Sequence, residues 1–297
     1  MSAKGAFRLG AILNEAVGKV ESASSLDRVA NAFRSPSSFL LGNRPLRDML
    51  SGSYFGHPLH PVLTDLPIGC WAGSAILDLT DNQPEAARRL IGTGIVMAVP
   101  TALAGVSDWL DTDGSEQRVG LVHGLGNLIG IAFMAGSWLQ RRNGARGRAL
   151  AAVGLVAMWV SGWLGGHLSF AMGVGVDVNA FQSGPEDWTP TTPCEGPEGE
   201  GVACREVDGV RIAVITTDGG KYALADRCSH RGGPLSEGEA DGGCIVCPWH
   251  GSAFDIRTGE VVQGPASMPQ PTYEVRDGAA GIEARRSEQR ALRRNPV

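Results

Sequence analysis

The chain has 297 residues, a formal net charge of −5 and 43% hydrophobic residues, and this length is enough for two domains. The average hides two unlike halves, because residues 61–170 are apolar whereas residues 184–284 carry 17 acidic and 7 basic side chains. Nucleic-acid binding requires a basic surface, so we expect no nucleic-acid partner.

Residues 1–55 form the first predicted region, an amphipathic N-terminal arm. Apolar residues such as Leu26, Val29 and Phe33 alternate there with arginines. This pattern is typical of a helix that lies along a membrane surface, and a solvated helix is the alternative. Residues 5–20 interrupt their apolar run with polar and charged side chains, so we expect no cleavable signal peptide.

Four segments that follow the arm are long and apolar enough to cross a lipid bilayer as helices. They comprise residues 61–80, 90–110, 119–140 and 149–170. We therefore predict a four-helix transmembrane domain at 56–170, in a multi-pass protein of a bacterial-type cell membrane. Gly126 and Gly130 have the small-xxx-small spacing that allows close helix packing. A water-soluble bundle would need polar faces that these segments lack.

The start of the first predicted span has a distinctive motif, Gly56-His57-Pro58-Leu59-His60-Pro61. It resembles a bacterial family of four-helix membrane domains that open with His-Pro-Leu-His-Pro. The resemblance covers about residues 55–170 and implies the same number of spans. It implies no particular activity.

Helix parity places the histidines of this half at one membrane face, because an even number of spans returns the chain to its starting side. His57 and His60 begin the first span, His123 begins the third and His167 ends the fourth. Ionisable groups within spans are costly and usually mark function. Ordinary hydrogen-bonded histidines are the alternative.

Three functional uses fit these histidines. His123 and His167 could hold haem b between facing helices, with nearby glycines leaving room for the porphyrin. The histidines could instead hydrogen-bond the head group of a membrane quinone. A single metal ion at His57, His60, Asp65 or Asp108 ranks below both uses.

The remaining chain begins with residues 171–192, whose glycine, serine, threonine and proline content predicts a linker. Val210–Thr217 and Lys221–Asp226 are β-rich runs joined by an Asp-Gly-Gly turn. They predict a small all-β domain at 193–285, followed by a basic tail at 286–297.

This domain contains paired short motifs, Cys228-Ser-His230 and Cys247-Pro-Trp-His250, with sixteen residues between His230 and Cys247. Two thiolates on one iron and two imidazoles on the other can hold a [2Fe-2S] cluster. Thiolates suit iron–sulfur chemistry and imidazole also suits iron. These four residues are therefore the predicted metal ligands. A zinc site with the same ligands is the alternative.

The stretch that runs from the second motif to Asp255, with glycines after both motifs, resembles the Rieske iron–sulfur domain. The resemblance covers residues 193–285 and implies a β domain with two cluster-binding loops. Respiratory Rieske proteins carry two further cysteines that join these loops by a disulfide. Gly233 and Trp249 occupy those positions here, so the resemblance is to the ferredoxin type.

The same resemblance bears on the reduction potential. It implies that Ser252 donates a hydrogen bond to a cluster sulfur. Phe254 stands where respiratory relatives carry a tyrosine, so a second such bond is missing. We expect a potential in the lower part of the roughly −150 to +300 mV Rieske range.

The sequence contains opposing signals for the side of the membrane on which the chain ends lie. Arginines in residues 141–148 favour a cytoplasmic position for that loop and external chain ends, and Arg141-Arg142 could serve as a twin-arginine signal. The seven basic residues of the arm and the missing loop disulfide favour cytoplasmic ends. We expect the Rieske-like domain in the cytoplasm. Cys194 and Cys204 could pair only in an oxidising compartment.

These observations predict a transmembrane α-helical bundle joined to a small all-β Rieske domain that carries single electrons. Such a protein is an electron carrier or an oxidoreductase subunit. Its expected partners are a redox protein or a membrane quinone, besides the lipid bilayer. The alternatives are a tethered ferredoxin component that serves a separate oxygenase or reductase, and a redox-sensing protein with an inert anchor.

Overall fold

The computed structural model describes residues 3–80, 83–279 and 281–287. The chain divides into two compact units. The first comprises Met1–Arg44 and Leu59–Val174, and the second comprises Pro45–Pro58 and Gly175–Val297. Most of the predicted basic tail lies outside the described residues.

The first unit is helical. Within the described part of the chain, the helices are α1 (Ala3–Ser22), α2 (Leu26–Leu40), α3 (Arg44–Ser51), α4 (Leu59–Thr80), α5 (Pro84–Trp109), α6 (Gly114–Arg142) and α7 (Arg148–Phe170). All but α3 belong to this unit. The helices from α4 to α7 are each long and apolar enough to cross a membrane, which confirms the prediction of four such helices.

The bundle packs as two helical hairpins, α4–α5 and α6–α7, around a core that includes Trp71, Ile91 and Met134. Its outer surface is apolar as well, since Leu79 is 87% exposed and Trp159 is 85% exposed. Large apolar side chains on the outside of a bundle fit a lipid surrounding rather than water.

Small residues bring α6 and α7 together, as their spacing predicted. A Cβ atom at Gly130 would lie 2.4 Å from Cγ of Met158 and 3.2 Å from the carbonyl oxygen of Gly154. A larger residue would push the helices apart, because no space is left for it.

A buried ion pair joins α4 and α6 at the end of the bundle where both helices finish. Arg141 donates from both terminal nitrogens to the Asp78 carboxylate, at 2.8 and 2.5 Å. The two side chains are only 4% and 12% exposed. Two parallel hydrogen bonds satisfy these charges in a place where an unpaired charge would be costly.

The N-terminal arm packs against the bundle. Val17 of α1 lies in one apolar cluster with Val119 of α6 and Leu164 of α7. Arg118 of α6 donates to the Asp27 carboxylate of α2 at 2.6 Å. Protein contacts thus cover part of the apolar face that the sequence assigned to the membrane surface.

The second unit contains two antiparallel sheets. The strands are β1 (Thr189–Pro190), β2 (Thr192–Pro193), β3 (Val202–Val207), β4 (Val210–Thr217), β5 (Gly220–Ala225), β6 (Glu239–Asp241), β7 (Cys244–Val246), β8 (Ala253–Asp255), β9 (Val261–Gln263), β10 (Thr272–Gly278) and β11 (Gly281–Arg286). The larger sheet has the order β1-β11-β10-β5-β4-β3-β2, and the smaller has the order β6-β7-β8-β9.

Strand β4 shows how the larger sheet organises two apolar cores. Ile212 and Val214 point to one core, whereas Ala213 and Ile215 point to the other. This alternation follows from the two-residue period of a strand. The second of these cores also contains buried residues of the smaller sheet, so it holds the two sheets together.

The predicted linker is largely part of this unit. Asn179 is 2% exposed and donates to the carbonyl oxygen of Arg227 at 2.7 Å. Strands β1 and β2 also fall within or at the end of that segment. A disulfide between Cys194 and Cys204 joins the residue after β2 to β3.

Candidate metal centre

The first ligand loop follows β5 and is closed by backbone hydrogen bonds. The amide of Cys228 donates to the carbonyl of Gly233 at 2.8 Å, and the amide of Gly232 donates to the carbonyl of Cys228 at 2.7 Å. Gly232 has a φ of +79°, a conformation that glycine adopts without steric cost.

The second loop joins β7 to β8 and repeats this geometry. The amide of Cys247 donates to the carbonyl of Ser252 at 2.8 Å, and the amide of Gly251 donates to the carbonyl of Cys247 at 3.0 Å. Gly251 has a φ of +74°. Each loop thereby turns its cysteine into the interior, where both residues are buried.

The two sulfur atoms face each other across the loops. The thiol of Cys228 donates a hydrogen bond to the sulfur of Cys247. This bond lowers the pKa of Cys247 to about 7 and raises the pKa of Cys228, because one proton shared by the pair avoids two adjacent negative charges.

Backbone N–H groups surround both sulfurs. The amides of His230 and Arg231 donate to the sulfur of Cys228. The amides of Trp249 and His250 donate to the sulfur of Cys247. Such donors stabilise thiolates, which are the form that binds metal.

The two histidines form a second pair. The ring centroids of His230 and His250 are 5.0 Å apart, and the rings are perpendicular. Burial, together with smaller contributions from the charges of His250 and Arg47, lowers the pKa of His230 to about 3. A neutral imidazole is the form that binds a metal.

These residues fit a two-iron cluster better than a single zinc ion. Among the described residues, no three His, Cys, Asp or Glu side chains converge on a point that one ion could occupy. The ligands are instead divided into a thiol pair and an imidazole pair. Cys228 and Cys247 would hold one iron of a [2Fe-2S] cluster, and His230 and His250 the other.

Gly233 shows how tightly the loops enclose this place. A Cβ atom there would lie 2.9 Å from the sulfur of Cys247 and 2.9 Å from the ring of Trp249. No larger residue fits unless the second loop moves, so this position serves close packing of the loops.

Ser252 lies two residues after the second ligand motif, and its hydrogen bond to a cluster sulfur stays a prediction. It is fully buried, and its hydroxyl oxygen accepts a hydrogen bond from the amide of Ala266 at 3.0 Å. That bond leaves the hydroxyl hydrogen as a donor. Phe254 is buried in the same core as both ligand cysteines but has no hydroxyl to offer.

Gln270 is a supporting residue that the sequence did not reveal. Its Oε1 accepts from the amide of Ser229 at 2.8 Å, and its Nε2 donates to the carbonyls of Ala225 and Arg227 at 2.8 and 2.7 Å. Gln270 is 1% exposed and fixes the backbone on both sides of Cys228. An isolated glutamine between two prolines carries no sequence signal for this role.

Cys244 is not a ligand in this arrangement. It lies on β7, three residues before Cys247, opposite Asp241 and Asp255 in the smaller sheet. Partial burial and these two carboxylates raise the pKa of its thiol, so the thiolate is disfavoured.

The membrane half brings two histidines into equivalent surroundings. Nδ1 of His60 donates to the carbonyl of Thr101 at 2.9 Å, and Nδ1 of His123 donates to the carbonyl of Ser161 at 2.7 Å. Each bond crosses one helical hairpin. The two imidazoles are also close enough to interact electrostatically.

A glycine follows each of these carbonyl residues by four positions and makes room for the ring. A Cβ atom at Gly105 would lie 2.7 Å from His60, and one at Gly165 would lie 2.9 Å from His123. The two hairpins therefore repeat one local arrangement of histidine, hydroxyl residue and glycine.

His167 has a different partner. Its Nε2 lies 3.0 Å from Oε1 of Glu21 in α1, and its ring lies against Trp163. His57 is exposed and belongs to the second unit. The structure thus gives His123 and His60 equivalent surroundings. The pairing of His123 with His167 stays a prediction.

We expect His230→Ala and Cys247→Ser each to abolish the cluster, because each removes an iron ligand. Electron paramagnetic resonance (EPR) of the reduced protein measures this directly. Cys244→Ser is the matched control and should keep the full signal. A Rieske-type signal that persisted in either ligand variant would contradict the assignment.

Gln270→Leu should weaken the first loop, because it leaves the buried amide of Ser229 without its partner, at a cost of about 1–3 kcal/mol, and removes one donor from the carbonyls of Ala225 and Arg227. We expect faster loss of the cluster on heating, which is measured as the decay of its visible absorption. Gln182→Leu removes one hydrogen bond to Tyr273 and is the control. Equal decay rates in both variants would show that Gln270 does not support the loop.

Comparison with known families agrees with this division of the chain. Residues 191–274 match the model of the Rieske [2Fe-2S] domain. Residues 56–178 match a family described as predicted membrane protein, DUF2231. The particular His-Pro-Leu-His-Pro subtype is not distinguished by that match.

Individual relatives match about a third of this chain or less. The 3-phenylpropionate/cinnamic acid dioxygenase ferredoxin subunit of Escherichia coli K12 is 40% identical over 80 residues, which are 27% of this chain and 74% of that protein. Apoptosis-inducing factor 3 of Mus musculus is 32% identical over 107 residues, 35% of this chain but only 18% of that protein.

Among solved structures, the ferredoxin of carbazole 1,9a-dioxygenase from Nocardioides aromaticivorans IC177 is 25% identical, with a TM-score of 0.29. The match covers 34% of this chain and 98% of that one. The ligand geometry and the ferredoxin-subunit relative lead to one conclusion: the C-terminal part of this chain belongs to the Rieske [2Fe-2S] family, as an electron-transfer domain that follows a region similar to the DUF2231 predicted membrane proteins.

Proposed function

We propose that the protein is a membrane-anchored carrier that passes single electrons between a redox partner protein and a membrane-bound donor or acceptor. The arrangement of the ligands supports this most directly, because paired thiols and imidazoles on two loops suit a one-electron centre. A bound [2Fe-2S] cluster would supply the electron chemistry. The chain's own loops hold it, exclude water and surround the sulfurs with N–H donors.

The partner surface lies at the second loop. Trp249 is 57% exposed, and its ring meets that of His250 at a centroid distance of 6.4 Å. Pro248 beside it is also exposed. An apolar rim around a buried redox centre is suited to brief contact with another protein. An oxygenase or reductase partner, as the ferredoxin relatives' names suggest, is the alternative to a membrane partner.

The test is reduction of the purified full chain by dithionite, followed by EPR and metal analysis. We expect two irons per chain, a Rieske-type signal and one electron taken up. A colourless protein that contained one zinc would contradict the proposal. If dithionite gave a normal signal but no membrane quinol could reduce the cluster, the tethered ferredoxin alternative would be favoured.

We place the electron-exchange site of the bundle at His60 and His123. Each ring donates through Nδ1, so its Nε2 carries a lone pair. Such a nitrogen could bind the iron of haem b or accept a proton from a quinol hydroxyl. In this structure Nε2 of His123 accepts a hydrogen bond from Asn127 at 3.1 Å, which fits this tautomer, and haem or quinol would replace that bond.

His60→Ala and His123→Ala should each abolish electron exchange at this site, whereas His167→Ala should leave electron exchange unchanged. The measurement is a reduced-minus-oxidised optical spectrum, combined with the rate of cluster reduction by a menaquinol or ubiquinol analogue. Haem bands lost in both variants would favour haem. Slower quinol-dependent reduction without haem bands would favour quinol. Unchanged spectra and rates in both would leave the bundle as an anchor only.

We further propose that the second unit faces an oxidising compartment outside the cytoplasm, in place of the cytoplasmic position that the sequence favoured. The Cys194–Cys204 disulfide supports this, because such bonds persist mainly in oxidising compartments. The arginines of residues 141–148 and of the start of α5 support it as well, since the positive-inside rule places them in the cytoplasm.

Cysteine labelling in intact cells tests this orientation. Cys194 and Cys204 should react with a thiol reagent only after reduction, and a membrane-impermeant reagent should then suffice. Serine at both positions should lower the stability of the unit by about 2–4 kcal/mol. Free thiols that only a permeant reagent reached would place the unit in the cytoplasm.

A further inference from the structure

The unit that holds the metal ligands contains a segment from a distant part of the chain. Pro45–Pro58 clusters with Gly175–Val297, although the four bundle helices separate them in sequence. We call Pro45–Pro58 the cap segment. It comprises most of α3 and a 3-10 turn at Ser53–Phe55. No sequence motif connected this segment with the cluster.

The cap segment packs directly on the loop that follows β9. A Cβ atom at Gly264 would lie 2.2 Å from Oγ of Ser53 and 2.7 Å from Oδ1 of Asp48. Asp48 is 8% exposed and Ser51, three residues on, is 5% exposed, so this face of α3 is closely covered. Gly264 lacks a side chain where the cap segment takes its place.

This contact lies close to the metal ligands. Two residues after Gly264, the amide of Ala266 donates to Oγ of Ser252. Ala266 also belongs to the core cluster that contains Cys228 and Cys247. The cap segment therefore touches the same short loop that supports the second ligand loop.

Arg47 adds a positive charge to the segment that packs on this loop. It precedes Asp48 on α3, and its Nε is buried. The guanidinium interacts electrostatically with the imidazole of His230. An arginine keeps its charge under all ordinary conditions, so this is a permanent cation beside a ligand of the cluster.

We propose that Arg47, held by the cap segment, tunes the reduction potential of the cluster from outside the Rieske sequence. The proposal rests on the proposed cluster. Reduction adds one negative charge to the centre, and a nearby fixed cation stabilises that charge by Coulomb attraction. Arg47 therefore raises the potential. It acts as a positioning residue, since it reaches the iron only through His230 and the loops.

The first experiment is a redox titration of the whole chain, monitored by EPR, in the wild type and in variants of Arg47. Arg47→Gln should lower the midpoint potential, and Arg47→Glu should lower it roughly twice as far, because the charge changes by two instead of one. Arg47→Lys should keep most of the wild-type value. Arg276→Gln is the matched control, since Arg276 pairs with Glu283 on the larger sheet.

A double-mutant cycle tests whether the cap segment positions this charge. Gly264→Ala should displace the segment, because its Cβ would collide with Ser53 and Asp48. In that background Arg47→Gln should change the potential much less than in the wild type. Hydrogen exchange of the α3 amides in Gly264→Ala should be faster than in the wild type, which tests the contact even if the cluster is lost.

The outcomes separate this inference from the proposed function. Absence of any Rieske signal in the wild type would overturn the proposed function. A normal signal with equal potentials in the wild type, Arg47→Gln and Arg276→Gln would overturn the inference alone. An equal effect of Arg47→Gln with and without Gly264→Ala would show that the contact between the cap segment and Gly264 does not position Arg47.

Discussion

Two sulfur atoms held within hydrogen-bonding distance of each other are the constraint on which the second unit depends. Two thiolates so close repel each other strongly in a buried place, so they require iron and N–H donors around them. The donors come from backbone that must turn sharply at Gly232 and Gly251. The sheets exist largely to hold these two turns face to face, with their shared core directly behind Cys228 and Cys247.

The candidate ligands could be named from the sequence because their chemistry is local. Cys228 and His230, like Cys247 and His250, lie within one short loop, so spacing alone carries the signal. Gln270 could not be predicted, because its role depends on which loop the fold brings to it from about forty residues away. The role of its side-chain amide becomes visible only when the structure shows which carbonyls it bonds.

The bundle shows the same limit. Length and hydropathy were sufficient to predict four spanning helices, because crossing a bilayer is a requirement on composition. They do not say which helical faces meet. His167 lies against Glu21, a residue 146 positions earlier. His60 and His123 are related by the repeat of hydroxyl residue and glycine across both hairpins.

The contact of Gly264 with Asp48 and Ser53 also constrains how many times the chain crosses the membrane. Asp48 and Ser53 precede the first spanning helix, and Gly264 follows the fourth. Residues that touch must occupy the same aqueous compartment, so the chain between them crosses the bilayer an even number of times. One packed glycine thus constrains the membrane topology independently of hydropathy. It also requires the residues before the first span and those after the fourth to reach the same compartment before the second unit can finish folding.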